Sequence, residues 1–170
     1  MILKSFEIND KKIYNFKIFL FYGANQGLKE EIIQQYFKKN SEKVLNYNET
    51  EVLNNLESFY AETLSNSFFE NKKLIIISGS SEKILKIIEE ISNKEIGETK
   101  IILITQILDL RSKLRKFFEK AKNLICVPFY EDNNQTLIKI CQNFFKEKKI
   151  NISQQSINLI VERCNGDRIN

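Results

Sequence analysis

Five short runs of apolar, largely β-branched residues punctuate the chain: KIFLFYG over 17–23, EKVLNYN over 42–48, KKLIIISG over 72–79, TKIILIT over 99–105 and NLICVPFY over 123–130. Several are continuously apolar, whereas a strand with one wet face would alternate. Such runs suit strands covered on both faces of a parallel sheet. Segments of helical period lie between them. LKEEIIQQYFKK places Leu28, Ile32, Ile33, Tyr36 and Phe37 on one face, and SSEKILKIIEEISN does the same with Ile84, Leu85, Ile87, Ile88 and Ile91. Helix starts are signalled by capping boxes at Asn48 with Glu51 and at Asp132 with Gln135, and by Ser81 ahead of its helix. The alternation predicts a doubly wound α/β domain, a parallel sheet flanked by helices with right-handed crossovers.

The pattern changes after Asp132. NNQTLIKICQNFFKEKK and SQQSINLIVERCNGD read as two amphipathic helices joined by INI, with no strand between them. An α/β domain over 1–132 and a small helical unit over 133–170 are therefore expected. Two helices make a thin core, so the second unit is expected to be incomplete or to lean on the first.

Composition narrows the function classes. With 42% hydrophobic and 28% charged residues and 13 Phe, the chain folds and is no disordered tail. A net charge of +4 permits an anionic partner without demanding one. Histidine is absent, which removes His-based acid–base catalysis, His-activated nucleophiles and His metal sites together. Cys126, Cys141 and Cys164 stand far apart among apolar neighbours with no CxxC pair, so reduced thiols are expected in place of a disulfide framework or zinc site. The opening MILKSFEINDKK turns polar too soon for a signal peptide, and no apolar run approaches the ~20 residues of a membrane span. A soluble, cytoplasmic protein without a membrane partner is expected.

Three stretches carry candidate chemistry. In FLFYGANQGLKEE an apolar strand runs into a glycine-flanked loop and a helix, the order by which many proteins grip a phosphate. A working phosphate loop needs GxxxxGK[ST]. Here three residues separate Gly23 from Gly27, no Lys-Ser or Lys-Thr follows, and Glu30 and Glu31 are expected in the first helical turn, where they would repel a triphosphate. The strand KKLIIISGSSEK ends in Ser78-Gly79-Ser80 with no carboxylate for Mg²⁺. Nucleotide hydrolysis, cofactor and metal are accordingly not expected. The second stretch is LRSKLRKFFEKAK, where Arg111, Lys113, Arg115, Lys116, Lys120 and Lys122 oppose Glu119, with Leu114, Phe117, Phe118 and Ala121 as the inner stripe. It reads either as a solvated helix face or as a contact for a phosphate backbone or an acidic protein surface. The third is LSNSFFENKK. Adjacent residues do not share one face of a helix or strand, so at least one of Phe68 and Phe69 is expected to be exposed or at an edge; the pair reads either as one core ring and one surface ring or as an exposed anchor for a partner's pocket.

Together, FYGANQGLKEE, SFFENKKLIII, SKLRKFFEKAKN followed by VPFYED, and NGDR resemble the delta subunit of the bacterial DNA polymerase III clamp loader over nearly all of the chain. The resemblance implies an AAA+-like domain with a degenerate nucleotide site at Gly23 and Gly27, followed by a helical lid. It also implies a role in DNA replication: binding the sliding clamp (the beta ring) and helping to open it for primed DNA, with ATP used by sister subunits. In that family two adjacent hydrophobic residues ahead of a basic pair enter a clamp pocket. The matching positions are Phe68 and Phe69, followed by Lys72, Lys73 and Leu74. Ser112, Lys113, Leu114, Arg115 and Lys116 match a further family stretch with no partner assigned. The family's third domain, which builds the loader's collar, has no counterpart here, so assembly with other loader subunits is not expected of this chain. Two rival readings stay open at this point: a P-loop NTPase with an unusual loop, and a stand-alone nucleic-acid binder using the 110–122 helix.

Overall fold

All five residues of the first apolar run, Ile18–Tyr22 (β1), are buried, and the strand occupies an inner position of a parallel sheet. The other strands are Lys43–Asn48 (β2), Lys73–Ser78 (β3), Lys100–Ile104 (β4) and Leu124–Pro128 (β5), in the spatial order β2-β3-β4-β1-β5. Each falls inside its apolar run. The computed structural model describes residues 1–65 and 72–164 together with Gly166 and Arg168. Among the described residues the helices are Asp10–Ile13 (α1), Gln26–Ile32 (α2), Glu49–Asn54 (α3), Leu56–Leu64 (α4), Leu85–Ser92 (α5), Lys113–Lys120 (α6), Asn134–Glu147 (α7) and Gln154–Cys164 (α8). None of them is long and apolar enough to cross a membrane.

Period-2 pleating divides the continuous apolar runs between two cores. Ile18, Leu20, Tyr22, Ile75, Ile77, Ile101, Leu103, Leu124 and Cys126 pack with Val52 of α3, Phe59 of α4, Ile87, Ile88 and Ile91 of α5, and Leu114 and Phe118 of α6. Phe19, Phe21, Leu74, Ile76, Ile102, Ile125 and Val127 point the other way, onto Leu3, Ile8, Ile13, Ile32, Ile33, Phe37 and Phe129. The stripe expected on the first long helix is present, with Leu28 and Tyr36 half-buried beside Ile32, Ile33 and Phe37. After Ile32 that helix widens into a π turn over Ile33–Phe37. Cys126, Cys141 and Cys164 are free thiols, Cys126 and Cys164 buried and Cys141 half-buried.

Two caps bear on the site. The box at Asn48 forms as expected: Glu51 N–H donates to Asn48 Oδ1 at 2.9 Å, and Asn48 N–H donates to Glu51 Oε2 at 2.8 Å. The box expected at Asp132 with Gln135 does not form. Asn133 caps α7 instead, its Oδ1 accepting from Thr136 N–H at 2.8 Å, because the Asp132 carboxylate is engaged elsewhere. Helices α7 and α8 share a small cluster of their own, Leu137, Ile157, Val161 and Cys164, with Ile138, Ile140, Cys141 and Ile152 packed against it.

Helix α2 leaves β1 toward one face of the sheet and α6 leaves β4 toward the other. The crevice of an open α/β sheet therefore opens at the carboxyl ends of β1 and β4, where ligands bind in folds of this kind.

Candidate functional site

The glycine loop spans that crevice. Gly23 adopts φ +121°, and a Cβ there would lie 2.1 Å from the Phe129 carbonyl oxygen, so only glycine fits. Asn25 caps α2, its Oδ1 accepting from Leu28 N–H at 2.9 Å, so the helix begins at Gln26. Glu30 and Glu31 consequently lie beyond the first turn, and the expectation that they guard the helix N-terminus is corrected. Both face solvent, Glu30 accepting from Gln26 Nε2 at 2.9 Å. Gly27 is buried within α2.

What fills the crevice is Lys29. Its residue is 2% exposed, and its ammonium donates to the Gly23 carbonyl at 2.7 Å and the Thr105 carbonyl at 2.8 Å. One side chain thus ties the loop after β1 to the end of β4. Gly23 N–H adds a second tie, donating to Gln106 O at 3.0 Å, and Asn25 N–H donates to Phe129 O at 3.3 Å. Burial pulls the Lys29 ammonium below the usual lysine pKa. The backbone donors of Gly23, Asn25 and Leu28, which would wrap a phosphate, are engaged within the protein.

Lys29 stands at the same interval from Gly23 as the lysine of GxxxxGK[ST] does from its first glycine, with Leu28 in place of the second glycine and Glu30 in place of the hydroxyl. Measuring from Gly23 to Gly27 hides this register. Two signals would have shown it: counting from Gly23, and the position of Lys29 three and four residues before the buried Ile32 and Ile33.

At the tip of β3, Ser80 is buried and donates its hydroxyl to Ile77 O at 3.0 Å. Ser81 donates from N–H and Oγ to the Glu49 carboxylate, at 2.6 and 2.7 Å. Among the described residues no three His, Cys, Asp or Glu side chains come together as a metal site.

A charged cluster borders the loop on the other side. The Asp132 carboxylate receives Arg168 as a fork, Nε on Oδ2 and Nη2 on Oδ1, both at 2.8 Å, and receives Asn25 Nδ2 at 2.9 Å. Arg168 also pairs with Glu31 through Nη1. Burial works to raise the Asp132 carboxyl, but the bonds from Arg168 and Asn25 outweigh it and leave the group below its ordinary value. Arg168 closes the NGDR motif, and nothing local in the sequence signals its pairing with Asp132.

The basic stretch is divided. Leu114 and Phe118 are buried and Phe117 and Ala121 half-buried, as the stripe predicted. Arg115 turns inward: Nε donates to Glu119 Oε1 at 2.7 Å, and the guanidinium lies 5.0 Å from the Tyr22 ring centre. Arg111, Lys113 and Lys116 are exposed, as are Lys120 and Lys122. Phe68 and Phe69 lie outside the described residues. The chain beside them is anchored by Lys73, a buried residue whose ammonium donates to Glu62 O at 2.6 Å and Ser65 Oγ at 3.0 Å and pairs with the Glu62 carboxylate at 2.9 Å.

No known protein family matches the chain in sequence, and no curated protein does either. Solved structures do match in shape. The Bacillus subtilis DNA clamp loader delta protein superposes with a TM-score of 0.57 and 18% identity over 89% of this chain and 49% of that one. The replication initiator DnaA, bound to AMPPCP and single-stranded DNA, gives 0.55 and 15% over 92% and 55%. A Walker-type ATPase of Pyrococcus abyssi gives 0.53 and 13% over 92% and 61%. The fold is AAA+-like. This chain spans about half the length of the clamp loader delta protein it matches.

Proposed function

We propose that the protein is a clamp-loader subunit of the delta type, which binds a DNA sliding clamp and helps open it without hydrolysing ATP itself. The observation that carries the reading is the crevice stitched shut by Lys29 between Gly23 and Thr105. An AAA+-like module whose loop lysine and whose Gly23, Asn25 and Leu28 backbone donors are engaged internally works through its surfaces. The likeness in shape to a clamp loader delta protein supports that choice among AAA+-like roles. Phe68 and Phe69 are the proposed anchor, each contributing about 1.5–3 kcal/mol if fully desolvated in a clamp pocket. The Lys73 ties give the anchor's flank a fixed base. Binding that favours the open-interface form of the ring over the closed form shifts the ring's population toward opening.

The test is clamp binding by the parent chain beside Phe68→Ala/Phe69→Ala, with circular dichroism on both. The expected result is a loss of affinity of about 100-fold or more with an unchanged spectrum. Retained affinity in the double variant overturns the anchor, and unfolding of the variant would make the pair core residues.

A second reading is favoured by one observation, the register of Lys29 with the lysine of a phosphate loop. It predicts nucleotide binding, and equilibrium dialysis with labelled ATP and Mg²⁺ discriminates: micromolar retention would overturn the surface-acting role. A nucleic-acid role for the 110–122 stretch draws less support, since Arg115 is spent on Glu119 and Tyr22.

A further inference from the structure

Asp132 sits at the entry to α7, and both of its carboxylate oxygens are occupied. Asn25, the residue that caps α2 and closes the glycine loop, donates to one of them. Arg168, beyond the end of α8, donates to both as a planar fork. Backbone bonding follows the same path: Asp132 N–H donates to Gly166 O at 3.1 Å, and Gly166 sits at φ +81° where the chain turns back. The Asp132 side chain is 7% exposed and that of Arg168 14%, so the pair is shielded from solvent competition. Glu31 on α2 receives the remaining arm of Arg168, which brings a second carboxylate from the α/β domain to the same guanidinium.

The Asp132 carboxylate thus stands beside the Asn25 cap of α2 and is bridged to Arg168, which follows α8. We propose that Asp132 is a built-in anion that clasps the helical pair α7–α8 onto the glycine loop and fixes the pair's position. The clasp is a conformational setting of the fold and is independent of how the clamp-loader reading fares. It explains why Asp132 gives up the α7 cap to Asn133: a carboxylate spent on Gln135 N–H would leave the Arg168 fork unmatched.

The experiment is amide hydrogen exchange by NMR on the full 170-residue chain, comparing the parent with Arg168→Ala and Asp132→Asn. The reporters are the amide at position 132, which bonds to Gly166 O, and the amides of Leu20 and Leu103 at the centre of the sheet. The expected result in both variants is exchange at position 132 faster by about tenfold or more, the weight of one charge-assisted hydrogen bond, with Leu20 and Leu103 unchanged. Asp132→Asn keeps the side chain's shape, so it reads the charge even if Arg168→Ala folds poorly. Unchanged exchange at position 132 in Asp132→Asn overturns the clasp. An equal rise at Leu20 and Leu103 overturns it too, because the cluster would then support the whole fold and not the docking of one part.

Discussion

Replacing Lys29 by Met removes the ammonium and keeps most of the side chain's volume, so it isolates the stitch across the crevice. Two hydrogen bonds disappear, to Gly23 O at 2.7 Å and Thr105 O at 2.8 Å. Bonds from a charged donor contribute about 1.5–3 kcal/mol each, and a buried carbonyl left without a partner costs about 1–3 kcal/mol. Against this stands the cost of burying an ammonium, visible in the lowered pKa of Lys29, which methionine does not incur. The balance is a net destabilisation of about 2–4 kcal/mol. For a chain of this size that corresponds to a fall in Tm of roughly 5–15 °C. Urea unfolding followed by circular dichroism should show a lower midpoint with an unchanged slope. Mg²⁺-ATP should leave the parent's Tm where it is, since a ligand at 100 times its Kd would add about 2.7 kcal/mol. A variant within about 0.5 kcal/mol of the parent would refute the stitch. So would an ATP-dependent rise in the parent's Tm that Lys29→Met abolishes, because Lys29 would then be a ligand-binding residue.

Gly23→Ala should cost about 3 kcal/mol or more, since its Cβ would meet Phe129 O at 2.1 Å in a backbone conformation that L residues avoid. Gly79→Ala, at φ +66° with open space around the new Cβ, should cost only about 1 kcal/mol, and equal urea midpoints for the two would refute the packing argument. In alkali, the Cys126 thiol and Tyr22 phenol, both pushed up to about 12 by burial, hold their protons in the fold after the unfolded chain has lost them. Their contribution is complete below the ordinary values of 9.0 and 10.0 and is lost as pH rises toward 12, so the urea midpoint should fall across that window. A flat midpoint would show that neither group is shielded.

The sheet was legible because strands buried on both faces leave a continuous apolar run, and each of the five runs became a strand. The same continuity hid how residues divide between the two cores, since Phe19 and Leu20 look alike in sequence and face opposite sides. Asn48 with Glu51 was readable because both halves of the box lie within one turn. Asp132 misled because its decisive partners, Asn25 and Arg168, are remote in sequence, and local capping rules count only near neighbours. Arg115 misled similarly: by composition it belongs to a basic face, yet its position on α6 lets it reach Tyr22. Lys29 was missed because a lysine among glutamates reads as surface, while a buried ammonium is stable only where carbonyls meet it, and Thr105 follows a strand remote in sequence.

These placements change what a glycine in such a loop signifies. Gly23 is demanded by Phe129, whose carbonyl leaves no room for a Cβ, and the same backbone accepts Asn25 N–H. The tight turn therefore follows from packing between β1 and the segment after β5 and needs no phosphate to account for it. Lysine in register with a phosphate loop has a parallel internal reason, since its ammonium satisfies two carbonyls at the crevice. The positions that have no such internal reason are Leu28 and Glu30, and those are where the second glycine and the metal-binding hydroxyl are missing. Parts of the motif that the fold itself uses are present, and parts that only a nucleotide would use are absent.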